Sequence, residues 1–271
     1  MKEYKDLAIK AAHTAGKILM DCLRRGVKVG YKGKFNVITE ADHLSEITIV
    51  KMIHGRYPSH QIIAEEGHGK GRNAKIRWLV DPLDGTTNYA HGFPCFCVSI
   101  GLEIKNEMVL GVVYDPFHEE MFMAEKGGGA FLNDRPVFVS KIGKLEDSLV
   151  VTGFNWRSIR KNLEYFSHFS LRVQGVRRTG SAALDLCYVA MGRLEGYWEL
   201  MLSPWDMAAG SLIVTEAGGR ATNFRGGPFS IYSKQILATN GRVHDEMRSV
   251  LKIGQKKKSG HKKTIDKPNG P

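Results

Sequence analysis

Four cysteines in 271 residues, Cys22, Cys95, Cys97 and Cys187, are too few and too irregularly spaced for a disulfide framework. Nor do they make the paired Cys-x-x-Cys motif of a zinc knuckle. They read as reduced thiols, with Cys95 and Cys97 flanking Phe96 in strand alternation so that both face one side and behave as small apolar residues. Nothing approaches the ~18 consecutive apolar residues that a membrane-spanning helix needs, so no membrane partner is expected. The uninterrupted apolar stretch of a secretory leader is missing too. Lys2, Glu3, Lys5, Asp6, Lys10 and Lys17 are scattered through the opening 23 residues, which argues against export and for a cytoplasmic protein. Acidic residues are in deficit, 28 against 39 Lys and Arg, and the formal charge is +11. Residues 252–271 hold seven lysines against one aspartate, so this short stretch carries +6 of that total and almost nothing apolar. Such a segment is expected to be disordered. It serves as a solubilising tail or as a sequence-independent contact with RNA or another polyanion. No aromatic residue interleaves with its lysines, so base stacking is not suggested.

The whole chain has an ordinary apolar content of 42% and enough length for one large domain or two closely packed ones. Leu7, Ala8, Ala11, Ala12, Ala15, Ile18 and Leu19 recur at helical spacing, as do the apolar residues from Leu44 to Ile53, until Tyr57-Pro58 stops the pattern. From Trp78 the period shortens. Strands are predicted over 96–102, 108–114, 121–123, 130–132 and 137–139, punctuated by Asn106, Asp115-Pro116, Gly127-Gly128-Gly129 and a turn at 133–136. Strands in succession imply a largely antiparallel sheet with the two early helices on one face. Beyond Lys141 the texture alternates: strand 148–152, helix 159–169, helix 182–191, strand 195–199, then a helix opened by Trp205-Asp206. Domain boundaries are therefore expected at 1–142, 143–254 and 255–271. Metal-binding carboxylates from the first unit and Asp206 from the second would then face each other across a cleft.

The chemistry concentrates in Asp81-Pro82-Leu83-Asp84-Gly85-Thr86-Thr87-Asn88. An apolar strand leads into it, and Pro82 and Gly85 are expected to end that strand. Thr-Thr-Asn then opens a helical turn, so the Gly85 and Thr86 amides can meet an anion, and Gly85 lets it approach closely. Carboxylates alone repel phosphate, so cations must stand between. Magnesium suits oxygen ligands of this kind. Taken alone, Asp-Pro-x-Asp-Gly is also simply a turn with two Asx caps. Two further elements add weight: Ile62-Ile63-Ala64-Glu65-Glu66-Gly67, an apolar strand ending in paired acids, and Ser203-Pro204-Trp205-Asp206, where Asp206 alone reads as a helix N-cap.

In this order, Glu65-Glu66-Gly67, Asp81 to Asn88, Glu195-Gly196-Tyr197-Trp198-Glu199 and Trp205-Asp206 resemble the inositol monophosphatase family over residues 1 to 254. The resemblance implies an α/β fold, a five-layer αβαβα sandwich with an antiparallel-sheet N-terminal part and a mixed C-terminal part. It also implies Mg2+-dependent, lithium-sensitive hydrolysis of a small phosphorylated polyol by a homodimer. Matched position by position, Glu65, Asp81, the Leu83 carbonyl, Asp84 and Asp206 are metal ligands. Glu65, Thr86 and Asp84 are catalytic, with Glu65 and Thr86 aiming the attacking water. Gly85, Thr86, Ser181, Ala182, Glu199 and Asp206 bind substrate. Asp42 matches the acidic residue that closes an early loop. In that loop Asn36 replaces an aspartate of some members, weakening a third metal site, and Lys32 and Lys34 read as solvated in the open state, with covering of bound phosphate by one of them as the alternative. Arg177 and Arg178 belong to the site's rim or a subunit contact. Glu199, Asp185 and the Ser181-Ala182 turn resemble members acting on inositol phosphates, which puts that substrate ahead of fructose 1,6-bisphosphate and nucleotide phosphates. A second reading is a binding protein that docks on RNA or a transcription complex, as some bacterial relatives do. It predicts eroded metal carboxylates, whereas all are present.

Overall fold

The computed structural model describes residues 1–33, 36–71, 73–155 and 158–253. Helix α1 (Lys2–Arg25) turns its alanine-rich stripe, Ala8, Ala11, Ala12 and Ala15, fully inward. A short antiparallel ribbon, β1 (Val29–Gly33) and β2 (Asn36–Thr39), leads into α2 (Glu40–Arg56). The α2 start is fixed by a capping box in which Asp42 accepts the Thr39 amide at 2.8 Å and the Thr39 hydroxyl side chain accepts from Ala41.

Strands β3 (His60–Ala64), β4 (Asn73–Asp84), β5 (Cys97–Ile104), β6 (Glu107–Asp115), β7 (Glu120–Glu125), β8 (Gly129–Leu132) and β9 (Arg135–Val137) form a seven-stranded sheet in sequence order. Only β3 and β4 are parallel within it. Helix α3 (Thr86–Ala90) follows β4. The expectation that Pro82 ends the strand is corrected: β4 runs on to Asp84. A bulge between Asp81 (opposite Ser99) and Asp84 (opposite Cys97) accommodates the residue that has no N–H to give the ladder.

The second sheet has the order β11-β10-β12-β14-β13 and mixes directions: β10 (Leu149–Thr152) is parallel to β11 (Gly175–Arg177) and β12 (Gly196–Leu200), while β14 (Gln235–Thr239) is antiparallel to both its neighbours, β12 and β13 (Arg220–Thr222). Helices α4 (Ile159–Ser170) and α7 (His244–Ile253) cover one face through Tyr165, Phe169, Met247 and Leu251. Helices α5 (Ala182–Ala190) and α6 (Pro204–Glu216) lie between the sheets and share one apolar cluster with both. The layers are thus α1/α2, seven strands, α5/α6, five strands, α4/α7, an αβαβα sandwich. The α6 backbone lies directly on the first sheet: a Cβ at Gly111 would stand 2.6 Å from the Ala209 carbonyl oxygen. Gly111 thereby sets how deeply α6, and Asp206 at its start, sits in the molecule. The hairpin β1–β2 and the elements β11, β13, β14 and α7 have no counterpart in the sequence expectations. Three-residue strands such as Gly175–Arg177 show no alternation to detect.

All four cysteines are buried and unpaired, and Cys95 and Cys97 join the same cluster as small apolar residues. No helix among the described residues is long and apolar enough to cross a membrane.

Candidate active site

The carboxyl ends of β3, β4 and β12 and the amino ends of α3, α5 and α6 converge on a cavity of ≈ 220 Å³. The metal, catalytic and substrate-binding residues that the family resemblance implies, Glu65, Asp81, Leu83, Asp84, Gly85, Thr86, Ser181, Ala182, Glu199 and Asp206, all lie on its wall. Glu65 arrives just past β3, and Asp81, Leu83 and Asp84 come from the bulged end of β4. Gly85 and Thr86 open α3, Ser181 and Ala182 open α5, Glu199 comes from β12, and Asp206 from the first turn of α6. Gly85 adopts φ 94, where a side chain would also stand 2.8 Å from the Cys95 carbonyl oxygen, so glycine is required at the turn that swings β4 into α3.

Several of these groups are already engaged. The Leu83 amide donates to Asp81 Oδ1 at 3.0 Å. The Asp84 Oδ2 atom receives the Ser181 hydroxyl and the Ala183 amide, both at 2.7 Å, which fastens the end of β4 to the start of α5. Ser181 therefore supports Asp84 as well as lining the cavity. Asp206 is not the N-cap of α6. Pro204 occupies the first helical position, Ser203 caps, and Asp206 one turn in accepts the Ser203 amide at 2.7 Å. The Thr86 hydroxyl faces two acceptors, Asp42 Oδ1 at 3.1 Å and the Leu83 carbonyl at 3.0 Å. It has one proton to give, so its lone pairs stay free to accept from a water.

Burial and crowding dominate the electrostatics. Desolvation raises Asp81 well above the usual carboxylate range, and the nearby Glu65, Asp84 and Asp206 raise it further. Asp206 is raised in the same way, by burial first and then by Asp84 and Glu65. Burial raises Asp84 as well, against the bonds from Ser181 and the amides of Ala183, Ala182 and Gly85. Glu199 is pushed up to about 7 by burial, opposed by the Tyr197 hydroxyl that donates to it at 2.7 Å. Arg178 is a cation on the same wall.

The donor set is all oxygen, carboxylate and carbonyl, which suits a hard divalent cation and not a soft one. Mutually repelling buried acids are the environment in which such an ion relieves the strain. Among the described residues, no three His, Cys, Asp or Glu side chains are drawn together tightly enough to hold an ion unaided.

Sequence reasoning missed one supporting residue. Glu46, fully buried on α2, accepts the Glu66 amide at 2.6 Å and the His68 amide at 2.8 Å, and so holds the turn that carries Glu65. The signal was Asp42 and Glu46 four apart on a helix, hence on one face. The expectations for the Lys32, Lys34 and Asn36 side chains, and for the 255–271 tail, lie outside what the structure describes.

The profile of the inositol monophosphatase family matches residues 1–255. The chain belongs to that family. It is 43% identical over 256 residues to the inositol-1-monophosphatase of Synechocystis, covering 93% of this chain and 89% of that protein. It is 39% identical over 258 residues to the Nus factor SuhB of Haemophilus influenzae, covering 93% and 97%. The solved inositol monophosphatase from Anabaena superposes with a TM-score of 0.84 at 43% identity, covering 93% of this chain and 96% of that one. Family membership and the shared sandwich make the cavity the natural seat for hydrolysis of a phosphate monoester.

Proposed function

We propose that this protein hydrolyses myo-inositol monophosphate or a close relative to the free polyol and phosphate, as a Mg2+-dependent, lithium-sensitive cytoplasmic homodimer. The observation that carries the reading is the convergence of Glu65, Asp81, Asp84 and Asp206 with the Leu83 carbonyl and the Thr86 hydroxyl on one small polar cavity. Those four carboxylates and the carbonyl would hold Mg2+, which supplies a lowered pKa for the attacking water and charge stabilisation for the leaving alkoxide.

The chain's own groups do the rest. The Thr86 hydroxyl, donating to Asp42 or Leu83, would accept a hydrogen bond from the attacking water and so orient it, while Glu65 accepts the one proton that the water gives up. The Gly85 and Thr86 backbone would take the phosphate oxygens. Ser181, Ala182, Glu199 and Asp206 orient the alcohol side of the ester, and no covalent enzyme intermediate is needed. The N-terminal unit 1–142 supplies Glu65, Asp81 and Asp84, and the C-terminal unit 143–254 supplies Ser181, Glu199 and Asp206, so the site needs both units.

Turnover of inositol phosphates, fructose 1,6-bisphosphate and nucleotide monophosphates, each with magnesium and with or without lithium, tests the reading. Strongest turnover of an inositol phosphate, lost with lithium, is expected; no turnover of any ester sinks it. The similarity to a protein named as a Nus factor favours a second reading, in which the chain also docks on RNA or a transcription complex through its basic tail. Removing residues 255–271 should then weaken RNA binding and leave hydrolysis unchanged.

A further inference from the structure

Asp185 is 1% exposed in the first turn of α5, and only half of its carboxylate is used. The Thr179 hydroxyl donates to Oδ1, tying the helix to the turn before it. Oδ2 is buried and has no hydrogen-bond partner. A buried carboxylate oxygen left unpaired costs on the order of 1–3 kcal/mol or more, so a fold that retains one points to a partner from outside the chain. Asp185 lies on the wall of the active-site cavity, and among the described residues no other buried side-chain atom without a partner does. Glu199 and Arg178 share that wall.

Resting on the phosphomonoesterase reading, we propose that Asp185 is a specificity contact: its Oδ2 hydrogen-bonds a hydroxyl of the ester's alcohol moiety and selects polyol monophosphates. The neighbouring groups narrow the partner. A second phosphate would meet two acidic side chains against one guanidinium, which disfavours bisphosphates. An apolar alcohol would leave Oδ2 unpaired in the complex at its full cost. A hydroxyl can donate to Oδ2, a bond that an amide nitrogen in the same place could not accept. A site built to bond a substrate hydroxyl rejects the analogue that lacks it far better than an apolar pocket rejects an extra group.

The test compares wild type, Asp185→Asn and Thr179→Val, each with magnesium, on myo-inositol 1-phosphate, its single-deoxy analogues and phenyl phosphate. Asp185→Asn should raise KM for the inositol ester about tenfold, keep kcat within about twofold, and leave phenyl phosphate unchanged. One deoxy analogue should lose about tenfold in wild type and nothing further in Asp185→Asn, the signature of a coupled pair. Thr179→Val removes only the Oδ1 bond and should leave the ratio of the two esters as it was. Equal losses on both esters in Asp185→Asn would assign the residue to holding the turn and overturn the proposal. If that variant does not fold, a wild-type deoxy series with no penalty above about twofold overturns it instead. Wild type that hydrolyses neither ester overturns the phosphatase reading itself; wild type that hydrolyses both, with an unshifted ratio in the variant, overturns only the role of Asp185.

Discussion

Replacing Glu199 by glutamine isolates one titration among several. In the unfolded chain the Glu199 carboxyl has its ordinary value of 4.5, and in the folded protein burial and the field of Asp84 carry it to about 7, against the Tyr197 hydroxyl bond and Arg178. Folding therefore favours the protonated form. The stability that Glu199 contributes is fully present below pH 4.5 and is lost as pH rises through 7. At ~1.4 kcal/mol per pH unit the whole loss is about 3 kcal/mol, of which about 2.5 kcal/mol falls between pH 5 and pH 8.5. Glutamine does not titrate and still offers an oxygen to the Tyr197 hydroxyl, so its stability lacks this component. Urea unfolding of both proteins at pH 5 and pH 8.5, in a chelator so that no divalent ion offsets the charge, measures the difference directly. Glu199→Gln should gain on wild type by about 2.5 kcal/mol between the two pH values, or roughly 5–10 °C in midpoint temperature for a chain of this size. The other acids of the cavity titrate in both proteins and largely cancel. A difference between the two proteins that does not change with pH would refute the claim that Glu199 is buried against its charge.

Asp84→Asn should abolish magnesium-supported turnover while a thermal melt stays near or above wild type, because the amide keeps the shape, still accepts from Ser181 or Ala183, and removes one of the repelling charges. Near wild-type activity would exclude Asp84 from the catalytic set. Glu65→Gln should lower kcat far more than it raises KM, since Glu65 is assigned to the attacking water; a change confined to KM in steady-state kinetics at saturating magnesium would remove that role. Lithium inhibition should be uncompetitive with substrate and weakened in Asp206→Asn, because an ion that binds only after the ester has been cleaved traps product. Competitive inhibition in initial-rate plots would count against Asp206 as part of that ion's site.

Much of the site was legible because the chemistry requires rare residue combinations at the ends of strands. An apolar run that stops on an acid, as Val80 meets Asp81 or Ala64 meets Glu65, is visible without any knowledge of tertiary structure, and three of them in order pointed to one family. The position of Asp206 within its helix was harder to read. Proline at the first helical position shifts the cap back to Ser203, and an aspartate fits either role. The path of β4 through Pro82 was misread for a related reason: a bulge hides the missing amide, and only the pairing with β5 discloses the bulge. The spacing of Asp42 and Glu46 marks one helix face without saying what Glu46 holds, and no pattern discloses the unpaired oxygen of Asp185. Their importance lies in what they touch, or fail to touch, across 20 residues of sequence or across the cavity.

The site's charge balance argues for the cation more strongly than any single ligand does. Glu65, Asp81, Asp84, Asp185, Glu199 and Asp206 all border one cavity, and Arg178 is a lone guanidinium on the same wall. Helix starts soften part of this excess. Asp84 sits at the amino end of α5 and Asp206 in the first turn of α6, where each helix dipole favours a negative charge by a few tenths to ~1 kcal/mol. That is too little to let a phosphate dianion in, since each close pair of like charges at ~4 Å and an effective dielectric near 20 repels by about 4 kcal/mol. Protonating the acids would relieve the repulsion, but a protonated acid is a poor acceptor for the proton of an attacking water. Divalent ions answer both demands at once, since they keep the carboxylates ionised and reverse the sign of the field that the phosphate meets. Under the proposed function, the same balance would set the polyol end of the ester against acids and not against a second cationic cradle. A metal held by Glu65, Asp81, Asp84 and Asp206 would neutralise the phosphate end and leave Asp185 and Glu199 as acceptors for hydroxyls.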